Sequence, residues 1–131
     1  MYVIIKATLK DIFDSGMKSA ASKSFESTIT KAVQAEKDFD TKKADKTSIV
    51  LTASCSVTAD DPKAPKKIKA VVSVDGLLTG GNAQAFKASG NGTMDGLNPK
   101  KLEDDVTALI ESVAGDLMKD KVIPQMLKMK P

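Results

Sequence analysis

The chain has 131 residues, 41% of them hydrophobic and 28% charged. That is the size and balance of one soluble domain and excludes a disordered, fibrous or collagen-like chain. A net charge of +3 arises from 20 basic residues, all of them lysine, against 17 acids, with no histidine and no tryptophan. Lacking guanidinium forks, the chain has no bidentate reader of guanine edges or phosphates, and lacking imidazole it has no side chain that switches charge near neutral pH. Tyr2, Phe13, Phe25, Phe39 and Phe86 are too few aromatics for a sugar- or base-stacking platform.

No apolar run approaches the ~20 residues of a bilayer span. The apolar start Met1 to Leu9 is short, interrupted by Lys6 and has no basic region before it, so it does not read as a secretory signal. A cytoplasmic placement is favoured as numbered, with an exported mature form as the alternative. The single Cys55 cannot form an internal disulfide and is compatible with a reducing compartment.

In chain order, Met1 to Lys10 alternates, with Val3, Ile5, Ala7 and Leu9 on one side and Tyr2, Ile4, Lys6 and Thr8 on the other, which predicts a strand. Asp14, Ser15 and Gly16 break it. From Met17 to about Lys37 the period changes, and Ala21, Phe25, Ile29, Ala32 and Val33 fall on one helical stripe. Asp38, Asp40 and Asp45 lie in a polar connection that lacks the glycine and the closing glutamate of a calcium loop, so a solvated link is the better reading.

Three strand-like runs follow. Thr47 to Ala59 points Ile49, Leu51, Ala53, Cys55 and Val57 to one face, and Lys67 to Thr79 repeats the scheme with Ile68, Ala70, Val72, Val74 and Leu78. Asp60, Asp61, Pro62 and Pro65 mark the turn between them. Gly80, Gly81 and Asn82 form a richer turn cluster than Asp75-Gly76, so the next reversal belongs there. Gln84 to Asp95 directs Phe86, Ala88, Gly90, Gly92 and Met94 inward, and the small residues leave a trough that predicts a helix passing close above. Gly90-Asn91-Gly92 lacks the spacing and following helix of a phosphate loop.

Leu102 to Leu117 is the strongest element, with Leu102, Val106, Leu109, Ile110, Val113 and Leu117 on one side of a helix. Asn98 reads as its N-cap and Pro99 as its first residue, while Glu103, Asp104 and Asp105 suit its positive end. Pro124 predicts a kink or stop just before it. Lys119, Lys121, Lys128 and Lys130 fit a helical C-terminal end, and Met126, Leu127 and Met129 make a short basic amphipathic tail from about 120 to 131. The fold class is therefore α+β, in the order β-α-β-β-β-α, with both helices on one face of a four-stranded, mainly antiparallel sheet and one domain over 1–131.

The chemistry is sparse. With no histidine, general acid–base and nucleophilic mechanisms lose their commonest provider. Cys55 sits mid-strand among Ile49, Leu51, Ala53 and Val57 and reads as a buried inert thiol. Paired carboxylates can act without histidine, but Asp104 and Glu111 share the outer side of the last helix, where a solvated face explains them. The expectation is a chain that is not an enzyme, with no catalytic, cofactor or metal residues.

The sheet face left open by the helices reads either as a simply solvated side of an antiparallel sheet or as a docking surface for a second sheet or an anionic partner. Its candidate partner residues are Lys6, Thr52, Ser54, Ser56, Thr58, Lys67, Lys69, Ser73, Lys87, Ser89, Asn91 and Thr93. The tail residues Met126, Leu127 and Met129 are a second candidate contact. A protein partner or self-association fits these features, and an unpaired edge strand offers a place for strand addition. Two alternatives stand beside it: a carrier holding a small apolar ligand in the Gly90/Gly92 trough, and a weak, salt-sensitive, sequence-blind anionic-polymer binder working through the surface lysines.

Helix, three strands, helix is also the order of double-stranded-RNA-binding domains, and Lys100-Lys101 fits that comparison. Against it, an extra strand precedes the first helix, and Glu103, Asp104 and Asp105 put negative charge where phosphates would sit. The full order resembles small bacterial envelope-assembly lipoproteins, which also place two helices on one side of a sheet. That resemblance is one of topology and implies fold, not activity.

Overall fold

Ile49, Leu51, Ala53, Cys55 and Val57 alternate with smaller polar residues over twelve positions, and a chain that can bury one such face and wet the other does so as a strand. The computed structural model, described here for all residues except Lys43, Asp45, Lys130 and Pro131, forms four strands: β1 (Tyr2–Ile12), β2 (Ser48–Ala59), β3 (Ile68–Thr79) and β4 (Gln84–Met94). They lie in the order β1-β2-β3-β4 in one sheet. β1 runs parallel to β2, as the connection through a helix requires, and β2, β3 and β4 form an antiparallel meander. Helices α1 (Lys18–Gln34) and α2 (Leu102–Leu117) pack side by side on one face, α1 against β1 and α2 against β3 and β4.

The register places the apolar sets in rows beneath the helices. Val3 is opposite Ile49, which is opposite Leu78; Cys55 is opposite Val72, which is opposite Gly90. Ala21, Phe25, Ile29 and Val33 from α1 and Val106, Ile110, Val113 and Leu117 from α2 close the core from above. No polar or charged side chain is buried among the described residues.

Two details differ from the sequence reading, one in β1 and one at the C-terminus, while the β3–β4 reversal falls at the expected glycine cluster. β1 continues two residues past Lys10, because Lys10 is an extra residue: Leu9 pairs with Cys55 and Asp11 with Ser56. The bulge changes the parity of the strand, so Ile12 instead of Asp11 turns to the helix side, opposite Val57. The reversal between β3 and β4 sits at Gly80, whose φ of +84° is the left-handed conformation a side chain disfavours. Asp75-Gly76 stays within β3.

The second difference is at the C-terminus. Pro124 neither stops the chain's helical course nor frees a tail. A π-helical turn, Met118–Val122, follows α2 directly and leads into α3 (Ile123–Lys128), with the Ile123 amide donating to the Met118 carbonyl. Pro124 has no amide for the carbonyl four residues back, and a widened turn is a way to carry helical backbone past that gap. Met126 and Met129 are buried in the core. Asp45 of the polar connection and Lys130 of the basic end lie outside the described residues.

Candidate functional site: the open face of the sheet and the edge of β4

Parity fixes the second face of the sheet as firmly as the first. Because Leu51 and Val57 point into the core, their neighbours Thr52, Ser54, Ser56 and Thr58 must point away, and they are exposed or half-buried there. The register joins these residues into cross-strand rows. One row runs Lys6, Thr52, Asp75, Lys87 and the next Thr8, Ser54, Ser73, Ser89; further along, Ser56 and Asn91 flank Val71, and Thr58 and Thr93 flank Lys69. Eleven of the twelve candidate partner residues thus share the open face within the strands. The twelfth, Lys67, precedes β3, where its amide donates to Asp60 Oδ1 at 3.1 Å.

Asp60 organises that turn. Its Oδ1 also takes the amides of Lys66 at 3.0 Å and Asp61 at 2.9 Å. These donors, Lys67 first, hold its carboxyl below the usual carboxylate value although the group is fully exposed.

One row of the open face is apolar. Ile4, Val50, Leu77 and Ala85 are successive cross-strand partners, and Leu77 is 46% exposed. A shallow depression of about 510 Å³ lies on this part of the sheet, bounded by Val50, Thr52, Asp75, Leu77, Ala85 and Lys87. Val71, 39% exposed, adds a second apolar point further along. The sequence carries a signal of this row. Leu77 and Leu78 are adjacent, and so are Ile49, Val50 and Leu51, so in each run one apolar side chain had to face outward.

The lysines do not form a uniform positive field. Lys87 lies directly opposite Asp75 on β3, and Lys69 stands between Thr58 and Thr93. Lys100 and Lys101 lie in the 3-10 turn before α2, followed at once by Glu103, Asp104 and Asp105.

The two edges of the sheet differ. β1 carries the Lys10 bulge, and its start is covered by the chain near Asp40: the Val3 amide donates to the Asp40 carbonyl at 2.8 Å and the Asp40 amide to the Met1 carbonyl at 2.9 Å. β4 is regular over eleven residues, has no proline, and no described strand pairs with its outer side. Lys121, on the π-helical turn, donates through Nζ to the Ser89 carbonyl at 3.3 Å. The carbonyl of Ser89 therefore faces outward.

Between β4 and α2 runs an open groove of about 280 Å³ whose floor is Leu109, Val113 and Leu117 and whose rim includes Ser112, Asp116 and Asp120. The trough itself is filled. A Cβ added at Gly92 would lie 2.7 Å from Val113 Cγ2, and one at Gly90 would lie 3.5 Å from Leu117 Cδ1. That close packing argues against a ligand enclosed between the sheet and α2.

The remaining candidates sort themselves by burial. Cys55 is 1% exposed, and burial pushes its thiol up to about 11, the opposite of what a nucleophile needs. Asp104 and Glu111 are exposed, and Glu111 Oε1 accepts from Ser24 Oγ at 3.1 Å, a link between α2 and α1. Of the tail residues only Leu127, 47% exposed, is available for contact.

The fold defined by this geometry is found in solved bacterial lipoproteins. Rare lipoprotein B from Shewanella oneidensis is 12% identical, with a TM-score of 0.57 over 97% of this chain and 94% of that one. A putative lipoprotein from Caulobacter crescentus is 12% identical with a TM-score of 0.56, over 98% and 93% of the two chains. A minor lipoprotein from Acinetobacter baumannii is 11% identical with a TM-score of 0.58, over 95% and 88%. No protein-family model and no curated protein matches the chain. At these identities the likeness is one of fold. No helix among the described residues is long and apolar enough to cross a membrane.

Proposed function

We propose that this chain is a non-catalytic binding protein that holds another protein against the uncovered side of its sheet. The observation that carries this reading is the apolar row Ile4, Val50, Leu77, Ala85, set on a face otherwise lined mainly by polar side chains and covered by no described segment. Contiguous apolar side chains rimmed by polar ones are what a protein–protein contact uses, the centre supplying desolvation and the rim register. The lipoprotein neighbours support the reading only as fellow users of the fold.

The test is co-purification of the full chain from the cells it comes from, compared with two variants. Leu77→Lys places a charge at the centre of the row, and Lys31→Glu changes an exposed residue on the helix layer. The native chain and Lys31→Glu are expected to recover the same protein in fixed ratio, and Leu77→Lys to lose it. Recovery unchanged in Leu77→Lys, or no protein recovered by the native chain, overturns the reading.

A further inference from the structure

We infer that the outer edge of β4 is a homodimer seam, at which two copies pair antiparallel across a twofold axis to make one eight-stranded sheet. This goes beyond the binding reading above, since it assigns a second interface, at the edge of the sheet, and its partner, a second copy.

Long edge strands are normally blunted by a bulge, a proline, a covering segment or inward charge, because their free amides and carbonyls invite another strand. β1 has such protection in the Lys10 bulge and the Asp40 cover, whereas β4 has eleven regular residues and only Lys87 as a charge. On an antiparallel ladder the amide and carbonyl of one residue point to the same side and alternate along the strand. The outward Ser89 carbonyl, marked by Lys121 Nζ, therefore sets the amides and carbonyls of Lys87, Ser89, Asn91 and Thr93 outward as well.

Charge selects a second copy over an unrelated strand. Lys87, Lys121 and Lys128 gather at the first half of β4 and outnumber Asp120 and Asp75 there, while Asp116 beside its second half and Asp95 after its end outnumber Lys69. An edge with ends of opposite sign is complementary to itself under a twofold axis, since antiparallel pairing brings each basic end beside the other copy's acidic end. With the axis at Gly90, Ser89 pairs with Asn91 and Lys87 with Thr93 of the second copy, so no like charges oppose. These four outward pairs exchange on the order of eight hydrogen bonds. The Lys121–Ser89 bond is given up, and Lys121 is released toward the second copy's Asp116.

Sedimentation equilibrium of the purified full chain, from micromolar to millimolar, tests this. The native chain is expected to approach twice its 13.9 kDa mass. Asn91→Pro removes an outward amide while leaving the β3 ladder intact, and weakens the dimer roughly tenfold or more. Thr93 is exposed, so two variants there test the register without threatening the core. Thr93→Glu, placed opposite Lys87, tightens the dimer by roughly threefold and Thr93→Lys weakens it by a similar factor. A strict monomer at millimolar concentration, or a dimer indifferent to Asn91→Pro and to the Thr93 pair, overturns the seam. Co-purification of a foreign protein that depends on Leu77 would persist in either case, so failure of the seam and failure of the binding reading are separable.

Discussion

Gly92 and Gly90 show how one missing methyl group positions α2. Val113 is β-branched on a helix and has little rotamer freedom, so a Cβ at Gly92, 2.7 Å from its Cγ2, forces backbone movement. Gly92→Ala is expected to cost about 1–3 kcal/mol in urea unfolding. Gly90→Ala meets Leu117 at ordinary contact distance and should be neutral within about 0.5 kcal/mol or slightly stabilising, which the same measurement separates.

Cys55 belongs to the same scale. Its folded thiol ionises at about 11 instead of the ordinary 9.0, so the fold favours the neutral form. The stability this contributes is complete below pH 9 and is lost as pH rises from 9 toward 11. Thiol-reagent labelling at pH 8 should proceed only through unfolding and accelerate in proportion to the unfolded fraction in urea. Asp60 has the opposite sign. Its lowered value contributes stability above the ordinary carboxylate value of 3.8, lost as pH falls below that, and the protection of the Lys66 and Lys67 amides, measured against their intrinsic exchange rates, should fall there.

At the scale of elements, the 3-10 turn Pro99–Lys101 that leads into α2, and not α2 itself as the sequence suggests, is capped by Asn98 in a reciprocal exchange. Asn98 Oδ1 accepts from the Lys100 amide at 3.0 Å, and the Asn98 amide donates to Asp105 Oδ2 at 2.9 Å. Asn98→Ala should therefore lower stability by about 1 kcal/mol, read as a shift in the denaturation midpoint at unchanged slope. This cap was legible from the Asn-Pro pair, as were the inward and outward faces of β2, β3 and β4, because alternation over eleven or twelve residues leaves one way to bury the apolar set. The Lys10 bulge was not legible, since it is decided by which of Asp11 and Ile12 meets Val57 across the sheet. Nor was the passage through Pro124. A local rule ends a helix there, but burial of Met118, Val122, Ile123 and Met126 favours continued helical backbone, and the π-helical turn reconciles the two.

At the scale of the molecule, two helices close one side of the sheet and leave the other uncovered, and the proposed partner surface is that second side. The hydroxyl- and lysine-bearing positions of that face follow from sequence parity. The apolar row does not, because Ile4, Val50, Leu77 and Ala85 come from four strands and become neighbours only through the register. The most direct measurement is a photo-crosslinking scan in the cells the chain comes from, with a photoreactive residue placed singly at Val50, Thr52, Leu77, Ala85 and Lys87 and, on the helix layer, at Lys31, Ala108 and Glu111. Adducts confined to the five strand positions are the predicted result. Adducts at the helix positions with none at Leu77 would contradict it.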